Sequence, residues 1–169
     1  RESRQGAKRA DIILVTKCPE KLSKDAQDFI KQKLLQFHKK VFLTSILYAD
    51  TLLGSMEIAT SKLKNFEVLL ITGIANPAPL KNYLKSLNVQ FQHLEFSDHH
   101  QFSDKEIERI ENKFKEMPSL KIIITTEKDY VRLRDKIQDI SYLPIETTFL
   151  NNENEAFNTL IKSHLKETV

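Results

Sequence analysis

The chain has 169 residues, and Lys+Arg 26 against Asp+Glu 23 leaves a net charge of +3, too small an excess to imply a nucleic-acid partner. Hydrophobic residues at 40% and charged residues at 29% permit a packed core and argue against intrinsic disorder. The single cysteine, Cys18, excludes a disulfide framework and a Cys-based zinc site, and it suits a reducing compartment.

Residues Arg1 to Ala10 are basic and polar, and read as a lead-in from something upstream; Arg1-Glu2-Ser3 opens without an initiator Met, as a piece of a longer protein would. A first strand is predicted over Asp11 to Thr16. A helix follows from Lys24 to Phe37, with Ser23 as N-cap and Ala26, Phe29, Ile30, Leu34 and Phe37 on one face. Strands are predicted over Val41 to Tyr48 and Glu67 to Thr72; the stretch between, Ala49 to Phe66, is mixed and reads as a surface excursion. Pro79 can occupy the first turn of a helix through Leu80, Tyr83, Leu84 and Leu87. Val89 to Glu95 reads as a strand, and Ser103 with Glu106 forms a capping box for a helix through Ile107, Ile110 and Phe114 that Pro118 closes. Strands over Lys121 to Thr125 and Tyr142 to Phe149 precede a last helix from about Glu153 to Leu165.

The runs Ile12-Ile13-Leu14-Val15 and Ile122-Ile123-Ile124 are continuous and apolar, as strands buried on both faces of a parallel sheet are. Strands alternating with helices predict an α/β fold, a doubly wound, mostly parallel sheet with helices on both faces in a Rossmann-like three-layer sandwich. The length is that of one domain. Apolar runs such as Val68-Leu69-Leu70-Ile71 are too short to cross a bilayer, and no signal-peptide pattern opens the chain, so a cytoplasmic location is expected. With Gly6, Gly54 and Gly73 as the only glycines, neither a P-loop nor a dinucleotide fingerprint can be written.

Ligands of such sheets sit beyond the carboxyl ends of the strands. The segments there are Thr16-Lys17-Cys18-Pro19, Gly73-Ile74-Ala75-Asn76-Pro77, Ser97-Asp98-His99-His100 and Thr125-Thr126-Glu127-Lys128-Asp129. Asp98-His99-His100 is the sharpest of them, because imidazole titrates near neutrality and a neighbouring carboxylate can orient it. In an extended segment His99 and His100 would face opposite ways, leaving one for a site and one for packing. The plainer alternative is a helix lead-in, in which Asp98 caps a turn and a histidine meets a backbone carbonyl. His38, His93 and His164 read as ordinary surface or half-buried residues. Gly73 either permits a tight turn or admits a ligand. Thr126, Lys128 and Asp129 either orient a substrate or form a cap and a solvated charge pair. Cys18, followed by Pro19, reads as a buried, inert thiol.

Taken in order, these segments resemble the C-terminal half of the tetraacyldisaccharide 4'-kinase family of lipid A biosynthesis, in its Bacteroidetes-type form. The resemblance is carried by Lys8-Arg9-Ala10-Asp11 and Val15 to Pro19, by Thr72 to Pro77 with Pro79-Leu80, and by Phe96 to His100 with Phe102 and Asp104. Thr125 to Asp129 with Arg132-Leu133, and Leu143-Pro144-Ile145, complete it. It implies a two-domain P-loop kinase at the cytoplasmic face of the inner membrane, moving the γ-phosphate of ATP to the 4'-hydroxyl of an acylated disaccharide 1-phosphate lipid. ATP and Mg²⁺ would be bound mainly by a missing N-terminal half, which also holds a catalytic Asp, so residues 11–169 would be a C-terminal α/β domain inactive alone. His99, with Asp98 beside it, matches the histidine that assists that Asp. Arg1 matches the arginine that contacts substrate phosphate, although Arg-Glu-Ser stands where the family reads Arg-Glu-Pro. Gly73, Asn76, Thr126, Lys128 and Asp129 would be cleft residues, the matched Thr126, Lys128 and Asp129 either supporting the cleft or contacting nucleotide, with no metal ligands among them.

Two other readings place the chain elsewhere. Asp98-His99-His100 is also the motif of metal-dependent DHH phosphoesterases, for which Asp50 is the one tempting further ligand. A non-catalytic α/β binding module of receiver type would need an acidic cluster where Thr16-Lys17-Cys18 stands.

Overall fold

The computed structural model describes residues 4–37, 39–118 and 120–167; Arg1 and His38 lie outside the described residues. In chain order the elements are β1 (Ile12–Cys18), α1 (Lys24–Leu34), β2 (Lys40–Tyr48), β3 (Thr51–Gly54), β4 (Ile58–Ala59), β5 (Glu67–Thr72) and α2 (Ala78–Ser86). There follow β6 (Phe91–Glu95), α3 (Asp104–Glu116), β7 (Lys121–Thr126), α4 (Glu127–Leu133), β8 (Ile140–Leu143), β9 (Ile145–Phe149) and α5 (Asn154–Glu167). The chain divides into two compact units, Arg1–Leu47 with Glu146–Val169, and Tyr48–Ile145, where length alone favours one.

The smaller unit holds a three-stranded sheet in the order β1-β2-β9, with β1 parallel to β2. Cys18, Leu43 and Leu150 form its core, packed by Val15, Leu22, Ile30 and Val41, and the Cys18 thiol is buried. Phe42 meets Phe149 and Phe157 edge-on at 5.9 and 5.4 Å. The expectation that Ile12 to Val15 is buried on both faces fails here. Leu14 is 44% exposed, because β1 is an edge strand with β2 as its neighbour. The expected apolar face of α1 is also narrower: Ile30 turns inward, while Phe29 is exposed under the Lys33 ammonium, 4.2 Å from its ring centre.

The larger unit is built on a six-stranded sheet in the order β4-β3-β8-β7-β5-β6. β8, β7, β5 and β6 run parallel, while β3 is antiparallel to β8 and to β4. Alternation along the strands splits the core in two. Val68, Leu70, Ile122 and Ile124 face Leu80 and Leu84 of α2. Leu69, Ile71 and Ile123 face Ile107 and Ile110 of α3 and Leu133 of α4. Apolar residues on both faces are what make the runs Val68-Ile71 and Ile122-Ile124 continuous, and the doubly wound α/β sheet is the one expected.

Two further segments differ from expectation. Ala49 to Phe66 is no mere excursion: it supplies β3, β4 and a 3₁₀ turn over Thr60–Asn65, and it buries Leu52 and Leu63. Tyr142 to Phe149 is two strands, not one. Pro144 has no N–H to continue the ladder, so the chain ends β8 in one sheet and begins β9 in the other.

The capping box of α3 is present, and it is tied to a histidine. Glu106 Oε2 accepts from the Ser103 N–H at 2.8 Å and hydroxyl at 2.7 Å, and Oε1 lies 3.0 Å from His100 Nε2. The Ser103 N–H, then its hydroxyl, then His100 hold this carboxyl down from 4.5 to about 2.

The fully buried Leu70 should cost about 2–5 kcal/mol of unfolding free energy when cut to alanine, against less than about 0.5 kcal/mol for the exposed Val131→Ala, both read by urea unfolding. Glu106 carries a pH signature as well. A carboxyl depressed in the folded state stabilises above its unfolded value, and that stability drains away as pH falls from 4.5 towards about 2. Unfolding curves across that range should show the advantage of the parent protein over Glu106→Gln shrinking with acidification; a gap independent of pH would contradict this.

Candidate active site at the carboxyl edge of the sheet

β5 leads to α2 on one face of the sheet, and its neighbour β7 leads to α4 on the other. The two chain directions part there, which makes the space between the carboxyl ends of β5 and β7 the topological switch point where such sheets bind ligands. Gly73 directly follows β5 and Thr126 ends β7, so two of the sequence-predicted segments meet at it.

They are joined by a buried carboxylate. Asp129 is fully buried, and its Oδ2 accepts from the Gly73 N–H and the Thr126 hydroxyl, both at 2.8 Å. Its Oδ1 takes Arg132 Nη1 at 3.4 Å. Thr126 is the N-cap of α4, its hydroxyl oxygen accepting from the Asp129 N–H at 3.2 Å. The cap reading of Thr126 therefore holds, but the solvated Lys128–Asp129 pair does not. Asp129 turns inward to the strand end and Lys128 outward to Asp98, 2.9 Å away. Gly73 is needed for space: a Cβ there would stand 3.1 Å from Asp129 Oδ1 and 3.4 Å from the Ser97 carbonyl oxygen.

The segment after β6 completes the group. Phe96 N–H donates to the Thr72 carbonyl at 2.7 Å and His99 N–H to the Gly73 carbonyl at 3.2 Å, tying this loop to the end of β5. Ser97 to His100 is a turn closed by the His100 N–H on the Ser97 carbonyl at 3.2 Å, not an extended segment. His99 sits in it with φ 61°, a left-handed conformation uncommon for a residue with a side chain. Side-chain alternation therefore does not separate the two histidines; the turn does. His100 packs on Phe96 and Phe102, with ring centres 4.9 and 5.0 Å away, and bonds to Glu106. His99 is thrown outward, its side chain 71% exposed.

Around the His99 ring stand three charged groups. Arg132 Nη2 lies 3.3 Å from Nδ1, Lys128 Nζ 3.3 Å from Nε2, and Asp98 Oδ2 3.7 Å from Nε2. Asp98 also accepts from the His99 N–H at 3.0 Å, and its carboxyl is held below the usual range by the Lys128 hydrogen bond first of all. His99, Asp98, Gly73, Thr126, Lys128 and Asp129 thus come together. Asn76 has a different task, its side-chain oxygen accepting from the Ala78 N–H at 3.1 Å to open α2. Arg132, which the sequence motifs do not mark as a site residue, joins the group. Its place four residues after Lys128 and three after Asp129, on the same side of a helix, is the signal that finds it.

The donor set does not fit a nucleotide–Mg²⁺ site. Both carboxylates are already matched, Asp98 by Lys128 and Asp129 by three donors, and no glycine-rich loop is present to wrap phosphates. Nor do three His, Cys, Asp or Glu side chains gather as a metal-ligand set among the described residues, so the DHH reading finds no partners for Asp98. Among the described residues no helix is long and apolar enough to cross a membrane.

The profile of the family described as Tetraacyldisaccharide-1-P 4'-kinase matches residues 1–166. Among curated relatives, Tetraacyldisaccharide 4'-kinase of Flavobacterium johnsoniae is 43% identical over all of this chain and 49% of its own length. That of Bacteroides thetaiotaomicron is 35% identical over 99% of this chain and 49% of its own. The solved structure of LpxK from Aquifex aeolicus in complex with ATP is 21% identical and superposes with a TM-score of 0.57, over 96% of this chain and 45% of that one. The chain spans about half the length of the curated relatives it matches. With the α/β fold and the order of its loops, this match makes the chain a member of the tetraacyldisaccharide-1-phosphate 4'-kinase family.

Proposed function

We propose that this chain is the C-terminal portion of a kinase that transfers the γ-phosphate of ATP to the 4'-hydroxyl of tetraacyldisaccharide 1-phosphate in lipid A biosynthesis. The observation that carries this reading is His99, held outward at the switch point in a left-handed turn and ringed by Asp98, Lys128 and Arg132. A structural histidine has no need of such a setting; His100, one residue on, has the packed one. ATP and Mg²⁺ are assigned mainly to an N-terminal half outside this chain, with residues 1–10 leading in from it and residues 11–169 forming the C-terminal α/β domain. The full-length protein would meet its lipid at the cytoplasmic face of the inner membrane. Arg1, planar and permanently charged, suits the phosphate of that lipid.

A sugar hydroxyl is a poor nucleophile, so its proton must be drawn off as the phosphoryl group arrives. The loose transition state otherwise asks for positioning and charge neutralisation. In this reading His99 assists a carboxylate from the other half in activating the hydroxyl, so that the reactive pair is complete only when the two halves close on the substrate. Such closure excludes water and limits wasteful hydrolysis of ATP.

In the full-length enzyme, His99→Ala should lower kcat about 10²- to 10⁴-fold while melting temperature and ATP affinity hold. His100→Ala should instead lower melting temperature, since it removes the packing on Phe96 and Phe102, with much the smaller effect on kcat. Equal kinetic losses, or a His99→Ala defect traced to unfolding, would contradict the assignment. The 169 residues alone should turn over no ATP above background.

A further inference from the structure

Both neighbours that approach the His99 ring nitrogens within hydrogen-bond reach are pure donors. Arg132 Nη2 faces Nδ1 and Lys128 Nζ faces Nε2, each at 3.3 Å. A neutral imidazole has one acceptor nitrogen and one N–H, so it can accept from only one of them. The rest of the surroundings decides which.

Lys128 has another acceptor, Asp98 Oδ1 at 2.9 Å, and the second oxygen of that carboxylate lies 3.7 Å from Nε2. A proton on Nε2 therefore faces an anion as well as a cation already paired with it. Arg132 has no comparable freedom. Its Nη1 is drawn to Asp129 Oδ1, and Asp129 is fully buried and fixed by the Gly73 N–H and the Thr126 hydroxyl. The guanidinium is planar and never gives up its proton, so anchoring Nη1 fixes Nη2 against Nδ1. A proton on Nδ1 would point at that N–H.

We infer that Arg132 is a positioning residue that sets the tautomer of His99: Nδ1 accepts from the guanidinium, and Nε2 carries the proton outward. The inference rests on the proposed role of His99 and deepens it. Nδ1 is occupied, so the ring meets the incoming groups as an N–H donor, able to orient a carboxylate or a developing charge rather than to strip a proton itself. This is the arrangement by which one hydrogen bond to a histidine determines what its other nitrogen can do. The buried Asp129 stands behind Arg132, so the chain of restraint runs from the end of β5 through α4 to the ring.

The test is ¹⁵N NMR of the full-length enzyme labelled at histidine, with the His99 signals identified by their loss in His99→Gln. The expected spectrum of the neutral ring is that of the Nε2–H tautomer, and in Arg132→Gln the ring should move to a mixture of tautomers. Arg132→Lys keeps the charge but cannot span Asp129 and His99 together, and should do the same if the glutamine variant does not fold. Turnover should fall roughly 10- to 100-fold in kcat, with ATP KM unchanged. An Nδ1–H tautomer in the parent enzyme, or a tautomer untouched by either substitution, would overturn the inference whatever the activity. A tautomer that shifts while kcat does not would uphold the role of Arg132 and count against that of His99.

Discussion

The site depends on one buried carboxylate. Asp129 has no exposure to water, and an ion placed there is tolerated only if its lone pairs are met. Three donors meet them: a backbone N–H at the end of β5, a hydroxyl at the end of β7, and a guanidinium one turn along α4. The Gly73 bond joins two chain segments that lead to helices on opposite faces of the sheet, while the other two are local to the start of α4. Removing the carboxylate would leave the Gly73 N–H and the Arg132 charge unmatched together. The absence of a side chain at Gly73 is what lets Asp129 approach so closely.

From that anchor the rest of the edge follows. The Gly73 carbonyl accepts from His99, so the strand end that donates to Asp129 also holds the histidine turn. Lys128 and Arg132 leave α4 on either side of the His99 ring, and Asp98 balances the first as Asp129 balances the second. The result is an exposed imidazole in a left-handed turn, held by its backbone and flanked by a charged group at each ring nitrogen. Such a group is prepared in advance for a partner, as the positioning in the proposed phosphoryl transfer would require.

Much of this edge is legible in the amino-acid sequence. Ile122 to Ile124 reads as a strand covered on both faces, and its alternate residues do pack on opposite helices. The polar loops after β5, β6 and β7 were legible by residue type, and they converge because parallel strands bring their carboxyl ends to one edge. What escaped was set by tertiary context. Leu14 is as apolar as Ile123, yet an edge strand leaves it open. Pro144 lies within an unbroken β-forming stretch, and only the missing N–H tells that two sheets divide there. The turn at His99 has no glycine to announce its positive φ, so residue types alone do not decide between an extended segment and a turn at Asp98-His99-His100. The spacing of Arg132 from Lys128 and Asp129 puts it on their side of the helix, but its task shows only once Asp129 is known to be buried.

The central claim is that Asp129 organises this edge for catalysis and not for folding alone. Asp129→Asn separates the two, because the amide oxygen can still accept from Gly73 and Thr126 while its NH₂ turns on Arg132 and releases the guanidinium. The measurement is the single-turnover rate of phosphoryl transfer by the full-length protein at saturating ATP and lipid, with melting temperature taken alongside. The account predicts a folded protein with a rate reduced by about tenfold or more. A folded Asp129→Asn protein transferring phosphate at the parent rate would contradict it.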